Sequence, residues 1–242
     1  MKKAFAMILT LAMLLGATGA MAVTMGTNAS FEPFEYIGDD GNPTGFDVKI
    51  AELIAADLGE ELVIEDMYFD GLLPALDVGT IDFLASAMTI TPERQAAALF
   101  SDPYFNATQS VIVMNGYDGI KTVGDIADKK VAAQDGTTGF MMATDDLGVS
   151  ASNLTGFKAA TDTVLELTSG RVDCIIIDNA VAQNFVKMYP ELVILEGLDM
   201  PVEEYGIAVK AGNEELLASI NATLAKIKED GTYDALIAEY FE

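Results

Sequence analysis

The chain has 242 residues, is 51% hydrophobic, and sets 38 acidic side chains against 13 basic ones, for a formal net charge of -25. So negative a surface repels phosphate backbones and anionic lipid, which argues against nucleic acid and membrane surfaces as partners. Histidine is absent and Cys174 is the single cysteine, which removes Ser-His-Asp and Cys-His catalysis, the usual zinc sites and any disulfide within the chain.

Residues 1–22 have the grammar of a secretory leader. Lys2 and Lys3 precede an apolar run from Ala4 to Leu15, and Ala20-Met21-Ala22 is a small-x-small cleavage site. The run is too short to span a bilayer, and no cysteine stands at the junction to carry a lipid. A soluble mature protein starting near Val23, in a periplasm-like compartment, is expected. Its composition can bury one sizeable core or two modest ones.

The mature chain opens with an apolar strand over 23–26, an aromatic-rich loop over 27–36 and a turn over 39–43, whose Gly, Asn and Pro suit turn geometry. A helix over 45–58 carries Phe46, Ile50, Leu53, Ile54 and Leu58 on one face and stops at Gly59. A strand over 62–65, a helix over 70–78 stopped by Gly79, and a strand over 81–85 follow.

That last strand runs into Ser86-Ala87-Met88-Thr89-Ile90-Thr91-Pro92-Glu93-Arg94. Thr91 suits an N-cap and Pro92 a first helical position, which puts Arg94 in a first turn, facing the unfavourable end of the helix dipole. Arg94 is one of only two arginines, the other being Arg171. With the hydroxyls of Ser86, Thr89 and Thr91 it could form a carboxylate cradle. Alternatively, Arg94 pairs with Glu93 or Asp102; the spacing leaves both readings open.

Further strands are expected over 111–114 and 129–133. The second leads into the glycine-rich turn Gln134-Asp135-Gly136-Thr137-Thr138-Gly139, which lacks a P-loop lysine but offers amides and hydroxyls, and then a helix over 140–146. Cys174 to Ile177 is a buried strand ending at Asp178, which caps the helix over 179–189, binds a ligand, or does both, the cap being the better-founded role. A strand over 205–209, a helix over 214–228 and a short helix capped by Thr232 complete the chain. Leu76 to Leu84 and Leu167 to Ile175 share the order Leu-x-x-Gly-x-(Ile/Val)-Asp-apolar-apolar, which fits two lobes built on one plan. Alternating strands and helices imply α/β architecture with parallel sheets and a ligand beyond the strands' carboxyl ends.

The ordered set Gly26 to Tyr36, Gly45-Phe46-Asp47-Val48, Thr89 to Arg94, Phe100 to Phe105, Gly136-Thr137-Thr138, Gly170 to Asp173 and Asp230 to Tyr233 resembles the extracellular solute-binding proteins of polar amino acid ABC transporters, family 3. The resemblance covers essentially the whole mature chain. It implies the periplasmic binding protein type II-like fold: two lobes, each with a mostly parallel sheet flanked by helices, and a ligand in the cleft between them. Lobe 1 is then 23–104 with 205–242, lobe 2 is the inserted 109–200, and 105–108 and 201–204 are hinge segments.

Carried over by motif position, Arg94 should bind the ligand carboxylate with Thr89 and the amides of Thr137 or Thr138. Asp178 should take the α-ammonium, Ala87 should add a backbone carbonyl, and Phe31 and Phe69 should flank the side chain. Asn28 and Gln134, both neutral amides where some relatives carry charge, place a neutral ligand such as glutamine narrowly ahead of a basic one such as arginine, lysine or histidine. The implied partners are an amino acid and a membrane permease; a monomer is expected, with no cofactor, metal or catalytic residue. A periplasmic dehydratase on the same fold is the alternative, and it needs a cleft carboxyl of raised pKa as general acid.

Overall fold

The computed structural model describes residues Met21–Glu242, so the expected leader, apart from Met21 and Ala22, lies outside the described residues. β1 (Ala22–Thr27) leads into a small three-stranded curl, β2 (Ser30–Phe31), β3 (Glu35–Ile37) and β4 (Pro43–Thr44), where the sequence predicts a loop. Then come α1 (Phe46–Leu58), β5 (Glu61–Asp66), α2 (Leu72–Val78), β6 (Phe83–Leu84), α3 (Pro92–Ala97) and β7 (Ala98–Phe100). The next run is β8 (Phe105–Met114), β9 (Val131–Gln134), α4 (Thr138–Asp145), β10 (Leu154–Phe157), α5 (Ala160–Thr168), β11 (Cys174–Asp178), α6 (Asn179–Met188), β12 (Leu192–Ile194) and β13 (Val202–Tyr205). The chain closes with β14 (Ala208–Lys210), α7 (Glu214–Glu229) and α8 (Thr232–Phe241).

These strands form two larger sheets, ordered β5-β1-β6-β14-β7 and β10-β9-β11-β8-β12, the second extended by β13 along β8. In the first sheet β1 runs parallel to β5 and β6, and only β14 is reversed, antiparallel to β6 and β7. In the second β9 is parallel to β10 and β11, and only β8 is reversed, against β11, β12 and β13. Each reversed strand is the first one entered after the chain passes from one sheet to the other. The two sheets therefore share one plan, as the repeated Leu-x-x-Gly motif implies.

Local chemistry sets the element ends. Gly59 and Gly79 adopt left-handed φ values of 72° and 75°, and their N–H groups return to carbonyls of the last turn of α1 and α2, the usual glycine stop. Thr91 caps α3, its Oγ1 accepting the Arg94 N–H at 3.2 Å, with Pro92 next. The expected Thr232 cap is displaced: Gly231 holds the N-cap position of α8 at φ 83° without a side-chain bond, and Thr232 is the first helical residue.

The strand expected over 205–209 is two strands in different sheets. Tyr205 ends β13 opposite Phe105, whereas Ala208 opens β14 opposite Leu84 and Phe100. Between them the backbone exchanges partners: the Gly206 N–H goes to the Met88 carbonyl at 3.0 Å and the Ile207 N–H to Ser101 Oγ at 2.9 Å. An aromatic cluster packs around this crossing, the Phe34 ring lying 4.9 Å from Phe105, 5.2 Å from Tyr205 and 5.1 Å from Phe241 between centroids. Phe46, Ile50 and Ile54 of α1 are fully buried, each such side chain contributing roughly 1.5–3 kcal/mol. Cys174 is buried, and burial pushes its thiol up to about 12. Among the described residues no helix is long and apolar enough to cross a membrane.

Candidate functional site

Parallel strands deliver polar residues to one place. Asn28 follows β1, Ser86 and Ala87 follow β6, Gln134 ends β9 and Asp178 ends β11, so the carboxyl ends of strands from both sheets converge, as open α/β sheets require for a ligand site. Together with Phe31, Phe69, Thr89, Arg94, Thr137 and Thr138 they line a single, nearly closed cavity of about 10 Å³. Every residue carried over from the family resemblance lies on its wall, whereas Thr91, the third hydroxyl of the cradle read from spacing, does not. Glu35 also lines it, and sequence reasoning missed that residue.

Arg94 is 6% exposed. Its Nη1 donates to the Thr89 carbonyl at 2.7 Å and its Nη2 to the Gly136 carbonyl, in the turn after β9, at 3.0 Å. The guanidinium carbon lies 5.5 Å from the centroid of the Phe69 ring. Among the described residues no carboxylate pairs with Arg94 within 4.0 Å, so neither Glu93 nor Asp102 is its counter-ion. Burial lowers its pKa while Glu203 and Asp178 raise it, and a guanidinium stays charged at neutral pH throughout. A buried cation with donors to spare suits a carboxylate.

Asp178 occupies the N-cap position of α6 but makes no capping bond. Its Oδ1 instead accepts the Tyr205 hydroxyl at 2.5 Å. Burial, followed by the neighbouring Glu203 charge, raises its pKa to about 7, with the Tyr205 bond pulling the other way. Removing a carboxylate from water this far is costly unless a cation or proton joins it.

Ala87 is the only non-glycine among the described residues with positive φ, at 45°, a region costing a residue with a Cβ about 1–2 kcal/mol. Asp47, buried in the first turn of α1, holds it there. Its Oδ2 accepts the Ala87 N–H at 2.7 Å and the Tyr104 hydroxyl at 2.7 Å, and burial raises its pKa to about 7.

The hydroxyls and amides divide into committed and uncommitted groups. Thr91, a sequence candidate for the cradle, spends its oxygen on the α3 cap. Thr137 caps α4, donates its hydroxyl to the Gln134 carbonyl at 2.8 Å and sends its N–H to the same atom at 3.3 Å. Thr138 opens α4, where a helical N–H has no partner within its own helix. Gln134 Nε2 donates to Asn28 Oδ1 at 2.7 Å and to the Lys158 carbonyl at 3.1 Å, while Asn28 Nδ2 donates to the Met67 carbonyl at 2.8 Å. One hydrogen bond thus joins these two amides across the cleft. At the cleft rim Lys158 Nζ reaches Asp70 at 2.5 Å and Asp135 at 3.2 Å.

Glu35 is 1% exposed. One carboxylate oxygen accepts the Ser86 hydroxyl at 2.8 Å, and the other has no partner. Burial, then the nearby Asp47 charge, raises its pKa well above the usual carboxylate range. Phe34 and Glu35 are both buried, so no inside–outside alternation marks the glutamate in the sequence; only its placement between two aromatics hints at an unusual setting. No metal-holding group of three or more His, Cys, Asp or Glu side chains occurs among the described residues.

The model of the bacterial extracellular solute-binding proteins, family 3, matches residues 23–242. A probable histidine-binding protein of Neisseria gonorrhoeae is 35% identical over 220 residues, 89% of this chain and 81% of that one. Among solved structures, a mutant of ArgBP from T. maritima superposes with a TM-score of 0.86 at 43% identity, over 91% of this chain and 95% of that one. An ancestral arginine-binding protein bound to glutamine gives 0.85 at 40% identity, over 91% and 97%. With the match running from the start of the first sheet to the last residue, the chain belongs to the bacterial extracellular solute-binding proteins, family 3.

Proposed function

We propose that the protein binds a polar L-α-amino acid between its two sheets and delivers it to an ABC importer, and that the preferred side chain is basic, of the arginine class. The observation that carries the first part is the pairing of opposite charges from different sheets. Arg94 is a buried cation without a carboxylate, and Asp178 a buried carboxylate without a cation. A zwitterionic ligand compensates both at once, and only while the sheets are close, so it gains more from the closed form than from the open one and drives closure. The hinge segments are 105–108 and 201–204, joined by the antiparallel ribbon in which 105–108 pairs with 202–205, between a lobe of 23–104 plus 205–242 and a lobe of 109–200. Hinge closure of two domains around a ligand is the motion that periplasmic binding proteins undergo.

The side-chain preference rests on Glu35. Asn28 and Gln134, the basis for ranking a neutral ligand first, are already bonded to each other, whereas Glu35 has an unspent buried oxygen. A guanidinium or ammonium there would offset the desolvation that raises its pKa. Names among the relatives, histidine-binding and arginine-binding, agree with a basic ligand, and the glutamine in the ancestral protein shows that a related site takes a neutral one as well.

Glu35 also meets the one requirement of a dehydratase, a cleft carboxyl of raised pKa, but the family and the relatives are binding proteins. A thermal-shift panel of amino acids tests the reading. A ligand at about 100 times its Kd stabilises by roughly 2.7 kcal/mol, so arginine should raise the midpoint, glutamine less, and an amino acid lacking polar side-chain atoms least. A panel with no shift sinks the proposal; turnover of a prephenate-like substrate replaces it with the enzyme.

A further inference from the structure

Behind the cavity wall, two of the threonines that line the cavity with Arg94 are bonded to a residue that does not line it. Glu203, in β13, accepts the Thr89 hydroxyl at 2.7 Å and the Thr138 hydroxyl at 2.8 Å, both on Oε2. Thr89 belongs to the segment leading into α3 and Thr138 to the first turn of α4, so this carboxylate joins elements of both sheets. A threonine hydroxyl carries a single proton; while Glu203 accepts both, neither can be donated to a ligand. The Thr138 oxygen receives the Gln109 amide at 3.3 Å in addition, which fixes the direction of its own proton. Glu203 is also the nearest thing Arg94 has to a counter-charge, first among the carboxylates that raise the arginine's pKa. Finally, Glu203 is only half-buried and borders an open groove between residues 89–92, Thr138 and Val202, so its side chain has solvent to turn into.

We propose that Glu203 is a surrogate carboxylate, which holds the Thr89 and Thr138 hydroxyls across the cleft and has to yield them to the carboxylate of an incoming amino acid. The inference rests on the amino acid reading of the site. Glu203 keeps the cradle assembled and its charge balanced between ligands, and by competing for the same donors it weakens binding and hastens release. A group that competes with the ligand's carboxylate leaves a distinctive mark, because it matters less to a ligand whose acceptor there is an uncharged amide.

Calorimetric titration with L-arginine and L-argininamide, on the wild type and on Glu203→Gln and Glu203→Ala, tests it. Glu203→Ala removes the acceptor even if the glutamine amide keeps it. Both variants should bind L-arginine about tenfold more tightly, the scale of one recovered hydrogen bond to a charged group, with a clearly smaller gain for L-argininamide, whose uncharged amide oxygen is the weaker acceptor. Adding Thr138→Val should erase part of the gain, since it removes one of the two hydroxyls that Glu203 holds. Unchanged or weaker L-arginine binding in folded variants, or equal gains for both ligands, would overturn the proposal and leave the amino acid site standing. A wild type that binds no amino acid would remove the reading beneath it instead.

Discussion

Asp178 ends a strand buried on both faces, and its carboxyl titrates at about 7 because burial and Glu203 outweigh the Tyr205 bond. An α-ammonium is held by the ionised form, so affinity for amino acids should fall as the pH drops from about 8 to about 5, with protons released on binding near neutrality. Titrations in buffers of different protonation enthalpy measure that release; affinity that rises on acidification contradicts the assignment. At Glu35 the prediction concerns specificity. Glu35→Gln should cost arginine about 10- to 100-fold in affinity, since it removes a buried charge partner, and leave glutamine within a few-fold; an equal loss for both ligands returns Glu35 to a structural role. Arg94 was legible because capping chemistry is local: Thr91 and Pro92 fix where α3 starts and therefore where Arg94 sits. Asp178 was half legible, as position and not as partner, for its bond to Tyr205 spans 27 residues. Glu35 was hidden, since its burial depends on the curl of β2 to β4, whose strands have two or three residues and no periodicity to detect.

Glycine stops organise the helices, and two glycines separate conformation from crowding. A Cβ at Gly59, φ 72°, meets nothing within 4 Å, so Gly59→Ala should cost about 1 kcal/mol, the left-handed penalty alone. At Gly45, φ 126°, a Cβ falls 2.3 Å from the Phe34 carbonyl oxygen, and Gly45→Ala should cost a few kcal/mol by displacing the curl from α1. Urea unfolding of both variants checks the order; equal losses contradict it. The sequence exposes such stops because glycine, cap and stripe lie within a few residues of one another. It conceals the division of 205–209 into β13 and β14, because apolar Ile207 to Val209 following Tyr205 look like one strand. What splits them is competition for backbone bonds by Met88 and Ser101, over 100 residues away.

Across the whole molecule, Glu35, Asp47 and Asp178 retain protons in the folded state at pH values where the unfolded chain has lost them. Their contribution to stability is therefore present at the acidic end, below the ordinary carboxylate range, and that of Asp47 and Asp178 is lost as the pH rises through about 7. The carboxyls with lowered pKa, such as Asp57 beside Lys226 and Glu166 beside Arg171, act in the opposite sense but at more acidic pH. Without ligand the unfolding midpoint should fall between about pH 5 and about pH 8, and a basic amino acid should flatten that slope; a midpoint that climbs over the same window contradicts the account. The central claim is that Arg94 and Asp178, carried on different sheets, are joined by one zwitterion. Calorimetric titration of the wild type and of Arg94→Ala with L-arginine tests it most directly. The account predicts a single site per chain in the wild type and no measurable binding by Arg94→Ala with its circular dichroism unchanged; equal affinities in the two proteins would contradict it.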